Sequence, residues 1–361
     1  MRIHGVHRRS ILPDPNRAWI EVIDQRALPH ALVLTKLATL PEVAVAIRAM
    51  WVRGAPLIGA VAAYGFCFAL AADPSDAGIE HACRELLSTR PTAVNLRWAL
   101  DEMRRALRGT PPAGRFDAAW ARAQAICEED VAINAAIGGH GLNLLRDLWV
   151  RRRSPLCLNV LTHCNAGWLA TLDWGTALAP IYMAHDSGIP VHVWVSETRP
   201  RVQGGLTSWE LGQHGVPHTV VVDNAAGHLM QHDMVDVCIV GADRVTARGD
   251  ACNKIGTYLK AVAAKDTGVP FYVALPYPTI DWTLDDGLQS IPIEQRDAAE
   301  VQRLPGAGAQ PLYPEGAAVA NYGFDVTPAR LITGLITERG LTRATREGLL
   351  SLYPEKSDTS S

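Results

Sequence analysis

Val235-Asp236-Val237-Cys238-Ile239-Val240, then Gly241-Ala242-Asp243-Arg244 and, after a short Gly-containing loop, Asn253-Lys254-Ile255-Gly256-Thr257, is the stretch that decides the fold. Its opening run is apolar enough to read as a buried strand. A second apolar run, Leu156 to Leu161, ends in Thr162-His163-Cys164-Asn165-Ala166-Gly167. In open α/β sheets the carboxyl ends of parallel strands face the ligand crevice. The pattern therefore puts a thiol, Cys164, and a carboxylate, Asp243, at the rim of one cleft, with Asn253 and Lys254 nearby. That is an enzyme's inventory.

Working outward, β-type runs recur at 156–161, 191–195, 219–222, 236–240 and 270–275. Helix-compatible segments lie between them, including Thr176 to Asp186 and Ile255 to Asp266. Strands alternating with helices predict βαβ units and a parallel sheet covered on both faces. Upstream, Val43 to Met50, Ala55 to Ala72, Ala93 to Leu107 and Ala118 to Leu148 have helical character, the last broken around Gly138-Gly139. The expected fold is α/β: a mainly helical N-terminal domain over 1–145, a Rossmann-like parallel-sheet domain over 146–350, and a polar tail over 351–361. Arg151-Arg152-Arg153 reads as a solvated linker at the junction, and Leu331 to Glu338 as a closing helix.

With 48% hydrophobic and 20% charged residues, the 361-residue chain is globular rather than disordered. A net charge of −3 gives no global basic field for nucleic acid or anionic lipid, so any bound anion needs a local site. The seven cysteines show no CxxC spacing, which fits reduced thiols. Met1-Arg2-Ile3-His4 opens without an apolar leader, and the expected location is cytoplasmic. Ala55 to Ala72 has near-spanning length and no charge. Its Ala and Gly content and Pro56 favour a buried helix, so no membrane span is expected.

The strand ends are polar. A thiol at a strand-to-helix turn is placed for thiolate formation, although a free cysteine is more often buried and structural. A dyad with His163 is disfavoured because adjacent side chains diverge along an extended chain. Asp243, after small residues, is a candidate acid; an ion pair with Arg244 is the alternative. Asp223-Asn224 reads equally as a cap or as a functional pair. Glu197 to Gly205 forms another polar strand end.

Neither GxxxxGK[ST] nor a strand-linked GxGxxG occurs, which argues against a nucleotide-dependent oxidoreductase. Arg53-Gly54-Ala55-Pro56 and Arg90-Pro91-Thr92 instead open helices beside an arginine, an arrangement that favours anions, and Lys254 adds a third cation. Together they suggest a phosphorylated small molecule. His228 and His232 have i, i+4 spacing but no third ligand, so no metal is predicted.

Six motifs give the chain a resemblance to the methylthioribose-1-phosphate isomerase family. They are Arg53-Gly54-Ala55-Pro56, Arg90-Pro91-Thr92-Ala93-Val94-Asn95-Leu96, Thr162-His163-Cys164-Asn165-Ala166-Gly167, Glu197-Thr198-Arg199-Pro200, Gly241-Ala242-Asp243-Arg244 and Asn253-Lys254-Ile255-Gly256-Thr257-Tyr258. Relatives of that family include ribose-1,5-bisphosphate isomerases and the alpha, beta and delta subunits of translation initiation factor 2B. The resemblance implies an aldose–ketose isomerase of methionine salvage that turns 5-methylthioribose 1-phosphate into 5-methylthioribulose 1-phosphate, with 5-deoxyribose 1-phosphate a substrate of some relatives. It implies Cys164 and Asp243 as the catalytic pair, and Arg53, Gly54, Ala55, Arg90, Gln203, Asn253 and Lys254 as substrate contacts. It further implies a homodimer and no cofactor. The segment Gly204-Gly205-Leu206 is shorter than the family pattern, and Trp168 and Trp174 are bulkier, which bears on the 5-substituent. The rival reading is a non-catalytic, sugar-phosphate-sensing regulatory subunit.

Overall fold

A computed structural model describes residues 1–90, 94–151, 157–303, 311–314 and 316–359. Pro91, Thr92 and Ala93 of the second arginine motif, Leu156, and Arg152-Arg153 lie outside the described residues. The chain divides into two compact units: Met1–Ala135 with Gly167–Gly175, and Ala136–Ala166 with Thr176–Ser361. The division falls inside a helix rather than at the arginine run, and Gly167–Gly175, three residues beyond Cys164, belongs to the first unit.

In the first unit, β1 (Ile11–Pro13), β2 (Ile20–Ile23) and β3 (Leu34–Leu37) form a three-stranded antiparallel sheet where only a short opening was expected. Four helices follow: α1 (Leu40–Arg48), α2 (Ala55–Ala72), α3 (Asp76–Thr89) and α4 (Val94–Ala106). Thr39 and Glu42 form a reciprocal capping box at the start of α1, and the Ser75 hydroxyl caps α3. Helix α2 is long and apolar enough to cross a membrane by length and composition, yet 14 of its 18 residues are buried in its own unit's core. Small residues let its neighbours approach. A Cβ on Gly59 would lie 2.9 Å from the Asn95 carbonyl oxygen, and one on Gly65 2.7 Å from Val43 Cγ1.

Helix α5 (Pro112–Arg151) runs unbroken through Gly138-Gly139, contrary to the expected interruption. Gly138 and Gly141 are places of close approach: Met183 Cε stands 2.7 Å from where a Gly138 Cβ would sit, and Gly141 abuts Pro180. Glycine here serves packing, and the continuous hydrogen-bond ladder outweighs its low propensity.

The second unit is built on β4 (Leu158–Thr162), β5 (Val191–Ser196), β6 (His218–Val221), β7 (Val237–Val240), and, beyond a β8–β9 hairpin, β10 (Phe271–Ala274). The hairpin strands are β8 (Arg244–Thr246) and β9 (Ala251–Lys254), which occupy the stretch read as a loop. They join β11 (Ile280–Asp281) and β12 (Phe324–Thr327) in a small mixed sheet. Helices α6 (Ala179–Asp186), α7 (Gly204–His214), α8 (Ala225–Gln231) and α9 (Thr257–Thr267) connect the parallel strands.

The expected closing helix at 331–338 is instead a strand, β13 (Gly334–Thr337). It pairs parallel to β10 and antiparallel to β14 (Gly340–Thr342). All four β13 residues are buried, and Gly340 at φ 140° closes the hairpin, so sheet burial overrides the helical pattern. A helix over Arg346–Leu352 follows, and Tyr353 is fully buried with its hydroxyl donating to Glu338 at 2.8 Å. Tyr353, inside the stretch expected as a polar tail, is therefore anchored in the core of its unit.

The seven-stranded sheet has the spatial order β14-β13-β10-β7-β4-β5-β6. Numbering only its parallel strands by sequence gives 3-2-1-4-5-6, the Rossmann order. The order reverses between β4 and β7, which are directly paired through Val160–Val237 and Leu161–Cys238. A ligand crevice is expected outside the carboxyl ends of these two strands.

Candidate active site

Cys164 follows β4 by two residues and Asp243 follows β7 by three, so both lie at the reversal point. The two turns touch. A Cβ on Gly241 would stand 2.7 Å from the Ala166 Cβ and 3.3 Å from Thr176 Oγ1, so glycine is required for this approach. The backbone amide of Asp243 donates to the Cys252 carbonyl at 2.9 Å, tying its turn to the hairpin. Arg244 reaches Asp281 at 3.5 Å.

Cys164 is held from both sides in a left-handed conformation, φ 67°, which is uncommon for a side-chain-bearing residue. Its amide donates to Thr198 Oγ1 at 2.9 Å, and its carbonyl accepts from the Thr207 hydroxyl at 2.8 Å. Thr198 and Val202 are also left-handed, at φ 63° and 56°. Such residues each cost on the order of 1–3 kcal/mol and persist where surrounding contacts over-determine them. On the Thr207 side, Asn165 Nδ2 donates to Thr207 Oγ1 at 3.1 Å and to Glu210 at 2.8 Å, and the Tyr182 hydroxyl donates to Glu210 at 3.0 Å. Five of the seven cysteines are buried, whereas Cys157 and Cys164 are half-buried; all seven are free thiols.

His163 does not serve the thiol through its ring. Its Nε2 faces the Ile255 carbonyl at 2.8 Å, so Nε2 carries the proton, and Nδ1 lies 3.4 Å from Thr198 Oγ1. Burial, aided by the Lys260 ammonium, pulls this imidazole down to about 3 and keeps it neutral. Burial also lowers Lys260, against the pull of Asp223. For Asp223 burial pushes upward, but the Ser196 hydroxyl, Lys260 and the Arg199 amide outweigh it, and the net shift is downward. Asp325 behaves in the opposite way: burial lifts it to about 6 despite amide hydrogen bonds from Gly256 and Tyr258. A cavity of about 470 Å³ lies beside this network, lined by Arg199, Asp223, Tyr258, Lys260 and Asp325 among others.

Gln203 precedes α7 and is buried, and its Oε1 has no hydrogen-bond partner among the described residues. A buried acceptor without a donor is costly, so a ligand hydroxyl or amide is a natural complement. Helix α7 starts hard against the sheet: a Gly204 Cβ would collide with the Ser196 carbonyl oxygen. Asn253 and Lys254 are buried on β9. Asn253 Nδ2 donates to Thr257 Oγ1 at 3.2 Å, and Lys254 Nζ lies 4.4 Å from the centre of the Phe324 ring.

The remaining predicted contacts are in the first unit. Arg53 and Gly54 precede α2, and Gly54 is its N-cap at φ 95°, a conformation glycine adopts without a side-chain penalty. A Cβ on Gly54 would collide with Ala170, which lies six residues after Cys164 in sequence. Ala55 begins α2, and Arg90 is the C-cap residue that follows α3. His228 and His232 stack at 4.1 Å between ring centres, with His232 Nδ1 2.8 Å from the His228 carbonyl oxygen.

Sequence reasoning did not single out Thr198, Thr207, Glu210 or Tyr182. One signal existed: Leu206, Thr207, Glu210 and Leu211 share one helical face, which places a carboxylate among apolar neighbours.

Residues 51–344 match the model of the initiation factor 2 subunit family. The chain belongs to that family. It is 61% identical over 99% of its length to the methylthioribose-1-phosphate isomerase of Rhodospirillum rubrum, of which it covers 94%. Among solved structures it resembles the 5-methylthioribose 1-phosphate isomerase of Pyrococcus horikoshii, with a TM-score of 0.85 and 37% identity, covering 97% of this chain and 96% of the other. It is also 37% identical to a structure described as the translation initiation factor eIF-2B delta subunit from A. fulgidus, with a TM-score of 0.81 and coverage of 96% and 100%. The family match accounts for the helical N-terminal region and the mostly parallel C-terminal sheet as one inherited architecture.

Proposed function

We propose that this chain is an aldose–ketose isomerase that converts 5-methylthioribose 1-phosphate to 5-methylthioribulose 1-phosphate, with Cys164 and Asp243 as its catalytic pair. The observation that carries the reading is the contact of the Cys164 and Asp243 turns at the reversal point of the sheet, through Ala166 and Gly241. The buried Gln203 oxygen, without a hydrogen-bond partner among the described residues, supports a hydroxyl-bearing ligand in the same unit.

The chemistry has a specific difficulty. The anomeric oxygen of the substrate carries phosphate, so the ring cannot open to a free aldehyde. Asp243 donates a proton to the ring oxygen as its bond to C1 breaks. The Cys164 thiolate takes the C2 proton, leaving a C1–C2 double bond. The C2 hydroxyl then returns a proton to Asp243 while the Cys164 thiol protonates C1, giving the ketone with its phosphate intact. An alternative C2-to-C1 hydride shift needs Cys164 only as a shield. The family resemblance gives Arg53, Gly54, Ala55, Arg90 and Lys254 as substrate contacts, and the cations among them and the amide-rich start of α2 are of the kind that suits a phosphate. Asn253 and Gln203 hold sugar hydroxyls. General acid–base assistance of this kind contributes ~100- to 10,000-fold in rate.

The seven free thiols fit a cytoplasmic setting. Tyr258 and Leu259, exposed beside the 470 Å³ cavity, with Val262 on the same helix, form an apolar surface suited to a homodimer. Light scattering of the purified chain checks this; a monomer at micromolar concentration refutes it.

Because the A. fulgidus relative carries a translation-factor name, turnover itself is the deciding measurement. Incubation with methylthioribose 1-phosphate should yield a ketose, and binding without product would favour the regulatory reading. Deuterium from solvent at C1 of the product supports the proton route, whereas its absence supports hydride transfer. Comparing kcat/KM for methylthioribose, deoxyribose and ribose 1-phosphates fixes the 5-substituent.

A further inference from the structure

Asp223 is the acidic residue whose role the sequence leaves open between cap and function. It caps no helix; Asn224, its neighbour, stands at the start of α8 without a side-chain cap bond. Its carboxylate instead continues the β5–β6 pairing past the end of the sheet. The last backbone bond there runs from the Glu197 amide to the Val221 carbonyl at 2.8 Å. Beyond it, Asp223 Oδ1 accepts the Thr198 amide at 2.8 Å and Oδ2 accepts the Arg199 amide at 2.8 Å, while the Ser196 hydroxyl donates to Oδ1. Lys260 Nζ lies 3.8 Å and His163 Nδ1 3.7 Å from the same oxygen.

The turn gathered by this carboxylate is the one that holds the thiol. Thr198 Oγ1 accepts the Cys164 amide, and Thr198 is kept in a left-handed conformation that a β-branched residue rarely adopts. The Thr198 carbonyl accepts the Val202 amide at 2.8 Å, so the turn also leads into Gln203. Two hydrogen bonds through one intervening residue, Thr198, therefore link Asp223 to Cys164.

We infer that Asp223 is a positioning residue for the Cys164 thiol, acting by splitting its two carboxylate oxygens between the Thr198 and Arg199 amides and so fixing the hydroxyl that anchors Cys164. The inference rests on Cys164 taking part in the isomerisation. Asn at 223 keeps one acceptor and turns an N–H against the other amide; Glu keeps the charge but displaces both oxygens.

Asp223→Asn should lower kcat about 10- to 100-fold with KM changed less than about threefold, because a small misplacement of a reacting group has such an effect. Alkylation of Cys164 by iodoacetamide, followed by peptide-resolved mass spectrometry, should slow in parallel, with the buried cysteines as internal references. Asp223→Glu should not restore kcat; full restoration would mean that charge alone matters and would overturn the inference. Thr198→Ala removes only the hydroxyl anchor and leaves the Asp223 amide bonds, so it tests the same path if Asp223→Asn folds poorly. It should reproduce the loss, and the double variant should lose no more than the worse single one. Wild-type kcat and alkylation rate in Thr198→Ala overturn the positioning role. Cys164→Ser separates the two layers. If it is inactive while Asp223→Asn turns over normally, only the positioning role falls; if Cys164→Ser keeps the wild-type rate, the thiol's role in catalysis fails and the inference with it.

Discussion

The core of helix α2 in the first unit and the groups buried around the turns after β4 and β5 in the second are both hidden from solvent, yet they are made of opposite material. In α2 the buried side chains are Ala, Leu, Ile, Val, Phe, Tyr and Cys, without a charge. In and around the turns, His163, Ser196 at the end of β5, Thr198, and Thr207 and Glu210 of α7 are each 0% exposed. The first arrangement buries apolar area and stabilises its unit directly, at about 25 cal/mol per Å². The second buries polar groups that are tolerable only when paired. It offers little stability in return and fixes geometry instead. The difference suggests where loss of function should appear as unfolding and where it should appear in kcat.

The largest effect belongs to the turns. Asp243→Asn and Cys164→Ser should each lower kcat by ~100- to 10,000-fold while substrate binding stays near wild type. Calorimetric titration with substrate, alongside product assays, checks this; wild-type turnover in either variant would remove that residue from the mechanism. Next comes the core. Phe66→Ala should cost ~3–5 kcal/mol of stability by opening a cavity. Activity per folded molecule at low temperature should be retained. If denaturant titration shows no loss, α2 is not the stability element its burial implies.

A third test uses pH. Asp325 sits at about 6 in the folded chain, above the ordinary carboxylate value, because burial disfavours its charge. The folded state therefore holds the proton more tightly than the unfolded one. Stability from this group is greatest below pH ~4 and declines as pH rises through 6, by on the order of 2–3 kcal/mol. Asp325→Asn should flatten that slope between pH 4.5 and 7.5 in urea titrations; an unchanged slope assigns it to other groups. Smallest of all, Glu85→Gln removes the exposed 3.3 Å pair with Arg48 and should shift stability by less than ~0.5 kcal/mol. A larger shift would mean that surface charge contributes more to the first unit than its apolar core suggests.

Much of the architecture was legible along the chain because its strands are nearly pure apolar runs. Runs read at 191–195, 219–222 and 236–240 became Val191–Ser196, His218–Val221 and Val237–Val240. Errors arose where tertiary burial overruled local preference. Gly138-Gly139 suggested a break, but Met183 and Pro180 press against that face of a continuous helix. The 331–338 pattern suggested a helix, but a place beside β10 made it a strand. Cys164 and Asp243 stood out because reactive groups followed strand ends. Thr198 and Thr207 did not, and Asp223 stayed undecided between cap and function, because a hydroxyl or carboxylate in a turn looks the same whether it caps its own backbone or clamps another segment.

Composition and periodicity alone gave the class of the fold, the alternation of strands and helices and the apolar helix Ala55–Ala72, while the six motifs carried the resemblance to the family. These are local properties, written in side-chain spacing and hydrophobicity. Only the tertiary structure decided the 3-2-1-4-5-6 strand order, the contact of Ala166 with Gly241, and the clamp from Asp223 through Thr198 to Cys164. Each joins residues far apart in sequence, and their pairing depends on which surfaces become buried together rather than on any pattern within one segment.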